Sequence, residues 1–202
     1  MRLLKLICLT IACLCLVQYS HAQEKDGEYL WDKEFSLSVL GGPMLEFSAV
    51  DSEFGVSIGG GGALIVNRAF FIGGYGLGLS NEISRQDGNS SISLDYGHAG
   101  AWLGFMYDPS ALMHFGASVK LGWGNVTLTR PNGTEVGKDN LFLVTPQLEG
   151  NVNISRWFKV SAGLGYRLSN GFDLTINGIE YNNDALSGPL GSLGFYFGWF
   201  GK

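Results

Sequence analysis

Glu46, His114, Ser118, Lys120, Gln147, Glu149 and Arg167 are the residues of this chain whose types could do chemistry together. His114, Ser118 and Lys120 stand at even spacing, as do Gln147, Glu149 and Asn151, and then Ser161, Arg167 and Ser169. Even spacing puts each set on one face of an extended strand. Carboxylates and cations held together away from water must pair, because an unpaired buried charge is costly. Glu149 lies between stretches carrying Lys120 and Lys159 or Arg167, so the expected outcome is a network of ion pairs and hydrogen bonds, with Glu46 and Tyr196 on the same side. A second chemistry would be acyl transfer with Ser169 as nucleophile, which needs a neighbouring base. The residue two before it is Arg167, which stays protonated and accepts no proton, and no motif places His98 or His114 beside it. The expected catalytic set is therefore empty. His98 and His114 also lack the His, Asp, Glu or Cys spacing of a metal site. Gly59-Gly60-Gly61-Gly62 precedes no helix and has no P-loop lysine, so it reads as a glycine-lined strand. No cofactor is expected.

The elements that carry these residues are strands. From Ala111 to Gly124 the chain alternates almost without fault: Met113, Phe115, Val119, Leu121 and Trp123 on one face, His114, Ser118 and Lys120 on the other. A period of two with contrasting faces marks a strand between two environments. The run exceeds the usual five or six residues of a globular strand and suits a tilted strand crossing a bilayer, which takes about 9–11 residues. Eight such strands are expected, at 35–47, 54–66, 69–79, 91–107, 111–128, 141–154, 157–169 and 188–200. Asn67-Arg68, Asp108-Pro109-Ser110 and Ser155-Arg156 are tight turns, and longer polar loops alternate with them at 81–90, 129–140 and 170–187. The fold class this predicts is all-β, an eight-stranded antiparallel up-and-down transmembrane β-barrel.

Parity assigns the faces. Phe71, Tyr75, Leu77, Leu103, Phe105, Val144, Leu148, Val152, Leu164, Tyr166, Leu193, Phe195 and Phe197 point to lipid, and no charged residue joins them. Many of the 31 glycines, among them Gly59, Gly74, Gly76, Gly122 and Gly163, fall inward, where an interior this narrow has room for little more than packed side chains. Pro43 and Pro146 fall within strands and should mark bulges or rim positions. The phase of the fourth strand slips near Tyr96–His98.

Residues 1–22 read as a secretory signal peptide, with Arg2 and Lys5 before an apolar run and Ser20-His21-Ala22 at the cleavage site. Residues 23–34 read as a polar periplasmic tail and 35–202 as the barrel, with both chain ends on the periplasmic side. Cys8, Cys13 and Cys15 lie in the leader, so the exported chain would hold no thiol. Loss of the leader removes two of the 13 basic residues and none of the 18 acidic ones, making the chain more acidic than its overall −5. That excludes nucleic acid as a partner.

The leader, the alternating strands and the final aromatic strand Leu193-Gly194-Phe195-Tyr196-Phe197-Gly198-Trp199-Phe200 resemble the small Gram-negative outer-membrane β-barrels of the OmpA-barrel and OmpX-like class. Asn67 to Gly76 and Ser187-Gly188-Pro189-Leu190 are similar to segments of uncharacterised outer-membrane barrels. The resemblance implies a non-catalytic outer-membrane protein of the cell envelope, structural or adhesive, whose extracellular loops meet their surroundings. It also implies outer-membrane lipid and lipopolysaccharide around the barrel, the barrel assembly machinery acting on the C-terminal strand, and an extracellular partner of the loops. Two alternatives stand beside it. Arg167-Leu168-Ser169-Asn170 is similar to the His-x-Ser-Asn motif of the outer-membrane lipid A deacylases, with Arg167 where that family has its base. A soluble lipocalin-like barrel would instead need an apolar interior and a polar exterior.

Overall fold

The computed structural model describes residues 36–50, 53–87, 90–176 and 179–199, with the backbone alone at 85–87, 90, 175–176 and 179–182. The expected signal peptide, the tail at 23–34 and residues 200–202 lie outside the described residues. The strands are β1 (Leu37–Val50), β2 (Glu53–Val66), β3 (Phe70–Leu79), β4 (Ile83–Asp87), β5 (Ser90–Met106), β6 (Met113–Thr129), β7 (Glu135–Asn153), β8 (Phe158–Asn170), β9 (Asp173–Ile176), β10 (Ile179–Asn182) and β11 (Gly188–Gly198).

All neighbours are antiparallel, in the order β3-β2-β1-β11-β8-β7-β6-β5-β4, and pairing of β3 with β5 closes the sheet on itself. β4 pairs with the start of β5 and so continues the line of β3 past a break at Ser80–Glu82. The closed barrel thus has eight staves, while β9 and β10 form a separate hairpin. Closure is what lets backbone groups bond to one another where no water is present.

One end of the barrel is closed by tight connections. Asn67 and Arg68 both adopt positive φ, 50° and 60°, in a tight turn whose Ala69 N–H donates to the Val66 carbonyl at 3.2 Å. The turn after β5 is held by Ser110 donating to Asp108 at 2.8 Å and by the Asn153 amide donating to the Pro109 and Ala111 carbonyls, both at 2.8 Å. The opposite, loop end is more ordered than composition suggested. The segments expected as polar loops at 81–90 and 129–140 are largely β4, the end of β6 and the start of β7, leaving Arg130–Thr134 as the connection. Within these segments Ile83 is buried in the apolar cluster at the loop end and Val136 packs against it, each flanked by polar residues or glycine that disguise it.

Two sequence expectations about phase are corrected. In β3 it is Phe71, Tyr75 and Leu77 that face inward, each no more than 5% exposed, so Gly74 and Gly76 face lipid. The aromatic rings fit because glycines stand opposite: a Cβ on Gly104 would meet the Phe71 ring at 2.2 Å, and one on Gly122 the Tyr75 hydroxyl at 2.3 Å. In β5 there is no slip, and Ile92, Leu94, Tyr96, His98 and Trp102 all face the lumen. Nor do the prolines make bulges or mark a rim. Pro43 pairs in register with Gly60, but pairings with β11 skip from Gly41 to Met44. Pro146 pairs with Val119, but pairings with β8 skip from Val144 to Gln147. Each ladder resumes in the same register, so the missing N–H is absorbed as a local gap.

Glycines differ sharply in what they permit. A Cβ on Gly59 would lie 1.9 Å from the Gly76 carbonyl oxygen, whereas one on Gly78 would meet nothing within 4 Å. Gly59→Ala is expected to destabilise the folded barrel by about 1–3 kcal/mol. Gly78→Ala is expected to be neutral or to stabilise it by up to about 1 kcal/mol. Urea midpoints of the two variants refolded in detergent test the contrast.

Candidate functional site: the luminal polar layer

The lumen is filled in three layers. At the loop end, Val50, Ile83, Ile92, Leu94, Val126, Leu128, Leu141, Leu143, Phe172 and Leu186 form an apolar cluster. Toward the turn end, Leu40, Met44, Ala63, Ile65, Phe71, Trp102, Met106 and Tyr196 form a second. Trp102 packs edge-on against Phe71 at 4.7 Å between centroids and tilted against Tyr196 at 5.4 Å. Of the sequence-derived polar groups, Glu46, Lys120, Gln147 and Arg167 lie between these clusters, whereas His114 lies toward the turn end.

At the centre, Lys120 of β6 reaches across the barrel to Glu46 of β1, Nζ to Oε1 at 2.6 Å, with both side chains almost fully buried. β1 and β6 are diametrically opposite staves, so this pair braces the barrel across its width. The Gln147 side chain bridges the same two groups, donating to Glu46 at 3.3 Å and accepting from Lys120 at 3.4 Å. The Lys120 ammonium also sits 5.7 Å from the Tyr75 ring centre, a favourable cation–π placement. Lys120 therefore pairs with Glu46 and not with Glu149, the nearer carboxylate in strand order. Glu149 instead accepts from Ser118 at 2.5 Å.

Arg167, fully buried, ties three more elements together. Its guanidinium donates to the Tyr96 hydroxyl at 2.6 Å, the Ser48 hydroxyl at 2.7 Å and the Leu186 carbonyl at 2.7 Å, and lies 5.2 Å from the Tyr96 ring centre. Tyr96 in turn shares a hydrogen bond with Ser57 at 2.9 Å. His98 contacts the Tyr75 hydroxyl at 3.1 Å and stacks on Tyr96 at 5.9 Å. Parity reasoning missed Ser48, Ser57, Tyr75, Tyr96 and His98 as members of this layer. An unbroken phase through β5 would have found two of them.

His114, the remaining sequence-predicted residue, lies apart at the turn end, where it is directly opposite Asn151 on β7. Asn151, Ser161 and Lys159 are buried in the same region, with the Lys159 ammonium 5.7 Å from the Tyr196 ring centre. Ser169 stands near the loop end. Its hydroxyl donates to the Asn183 carbonyl and lies 2.9 Å from the Ser187 hydroxyl. His98 contacts Tyr75 and Tyr96, and His114 lies at the turn end, so among the described residues no imidazole is engaged with Ser169. Among the described residues no group of three His, Cys, Asp or Glu side chains could hold a metal ion.

The outer face is the complement of this interior. Leu148, Leu164, Phe115 and Met113 are between 72% and 77% exposed. From Met113 to Trp123 on β6, from Phe142 to Val152 on β7 and from Phe158 to Leu168 on β8, outward positions carry no charge. Ten residues at ~3.3 Å per residue and a typical tilt of ~40° give a band about 25 Å high, the height of the apolar belt of a membrane barrel. Aromatic groups mark its edges: Trp157, Phe158 and Phe197 stack at the turn end, and Trp123 meets Phe142 at 5.1 Å near the loop end. Aromatic rings favour this interfacial depth.

A closed eight-stranded antiparallel barrel with a charge-free apolar belt and a packed, partly polar interior has the fold of the small outer-membrane β-barrels. A soluble lipocalin-type barrel has the opposite distribution. No family model matches the chain, and no curated protein matches it. Among solved structures, the chain is similar to Neisserial surface protein A, with a TM-score of 0.52 and 10% identity over 84% of this chain and 100% of that one. It also matches Ail, the attachment invasion locus protein of Yersinia pestis, with a TM-score of 0.48 and 10% identity over 81% of this chain and 97% of that one. Acinetobacter baumannii CarO matches with a TM-score of 0.35 and 15% identity over 78% of this chain and 97% of that one.

Proposed function

We propose that this protein is an integral outer-membrane barrel without catalytic activity, whose role is structural or is exerted by surface contact through its loop end. The observation that carries this reading is the filled lumen. An aromatic and aliphatic floor, a cross-braced polar layer and an apolar cap occupy it in succession, consistent with the narrow interior of an eight-stranded barrel. The charge-free belt supports residence among outer-membrane lipid and lipopolysaccharide. The proposal includes export by the leader, periplasmic chain ends, insertion by the assembly machinery through the last strand, and a partner for the loops. The engagement of Ser169 with Asn183 and Ser187, and the guanidinium at the position of the family base, weigh against acyl hydrolysis.

Membrane fractionation and lipid A mass spectrometry test this together. The overproduced protein is expected in the outer-membrane fraction, with mobility on a gel that changes on heating, and with lipid A acylation unchanged. Loss of an acyl chain that Ser169→Ala abolishes would establish the hydrolase instead. Recovery in the soluble periplasm would defeat the membrane reading.

A further inference from the structure

Two stretches between β8 and β11 add to the apolar cluster over the polar layer, and their attachment has the form of a latch. These two limbs, 171–174 and 183–187, each insert one fully buried apolar side chain, Phe172 and Leu186, into the loop-end cluster. Asn183 joins the limbs: its side chain accepts from the Phe172 N–H at 3.0 Å, and its carbonyl accepts from Ser187 at 2.9 Å and from Ser169. Gly171, between β8 and the first limb, has φ of 95°, a left-handed conformation that favours glycine.

Beneath the limbs lies Arg167. Its three hydrogen bonds all go to neutral oxygens: the hydroxyls of Ser48 and Tyr96 on the barrel wall and the Leu186 carbonyl on the limb. A buried guanidinium held this way carries a desolvation cost that a mere space-filling residue would not. What it contributes is a directional bond from wall to limb. We propose that the two limbs form a stopper at the loop end of the lumen and that Arg167 is its latch, so that breaking this attachment opens the polar layer to the outside. The inference does not depend on the absence of catalysis.

The test uses Thr145, which is 1% exposed in the polar layer. A Thr145→Cys chain reconstituted in lipid vesicles is treated with a small water-soluble methanethiosulfonate reagent, with the unsubstituted chain as background. Labelling is expected to be slow with the stopper intact. It is expected to rise at least about tenfold when Arg167→Met or Phe172→Ala is added, while the heat-dependent gel shift shows that the barrel is still closed. Fast labelling of Thr145→Cys alone rules out a stopper. An unchanged rate in folded Arg167→Met, with a raised one in Phe172→Ala, removes the latch. Phe172→Ala also decides the stopper if Arg167→Met does not fold, and Arg167→Lys then tests the latch by the same labelling rate.

Discussion

Leu164→Arg is expected to destabilise the barrel by ~2–4 kcal/mol, the cost of an arginine on the lipid face at the bilayer midplane. Leu164 is 76% exposed and lies in register with Leu148, itself 72% exposed. Both stand near the middle of the apolar belt, between Phe142 and Val152 on β7. In a water-soluble barrel the same substitution on such an exposed side chain would fall within about ±0.5 kcal/mol. The sign and size of the effect therefore report the solvent that this face meets. Thr127→Arg, outward on β6 beyond Trp123, is the matched control and is expected to cost no more than ~1 kcal/mol, because the penalty fades toward the interface. Unfolding equilibria in lipid vesicles, followed by tryptophan fluorescence across a urea series, measure both. Equal effects at the two positions would remove the belt from where we place it.

Lys120→Met is expected to cost more, about 3–5 kcal/mol, because it strands the Glu46 carboxylate in the centre of the barrel. Oε1 of Glu46 would keep only the Gln147 amide at 3.3 Å, and Oε2 has no hydrogen-bond partner among the described residues. The double variant Lys120→Met with Glu46→Gln is expected to recover most of the loss, since a neutral pair of similar volume avoids the desolvation of two charges. That recovery separates a stranded charge from simple loss of packing: if cavity formation dominated, the double variant would be no better than the single one. The same urea series in vesicles supplies the coupling energy.

The legibility of these features in the sequence was uneven, for identifiable reasons. β6 and β8 were readable because their two faces differ in kind: Met113, Phe115 and Leu121 against His114, Ser118 and Lys120, or Leu164 and Leu168 against Ser161 and Arg167. β3 was not, because both of its faces are made of large apolar residues and glycine, and a period of two separates faces without saying which is inside. Only the glycines opposite, Gly104 and Gly122, select Phe71 and Tyr75 for the lumen. The strand stretches at 83–87 and 135–140 were hidden for a related reason, since Ile83 and Val136, which pack at the loop end, are flanked by Glu82 and Ser84 and by Glu135 and Gly137, which look like loop residues.

By itself, the sequence determined the strand class, the eight staves, the tight turns and which side chains of most staves meet lipid, because alternation and turn chemistry are local. Tertiary structure alone decided the partners. Lys120 meets Glu46 across 74 positions, joining opposite staves, and Arg167 meets Ser48 across 119, joining the two staves that flank β11; both contacts are fixed by closure of the sheet around a narrow lumen. The same closure turned an expected polar plug into a braced layer between two apolar clusters, and placed Phe172 and Leu186 over it.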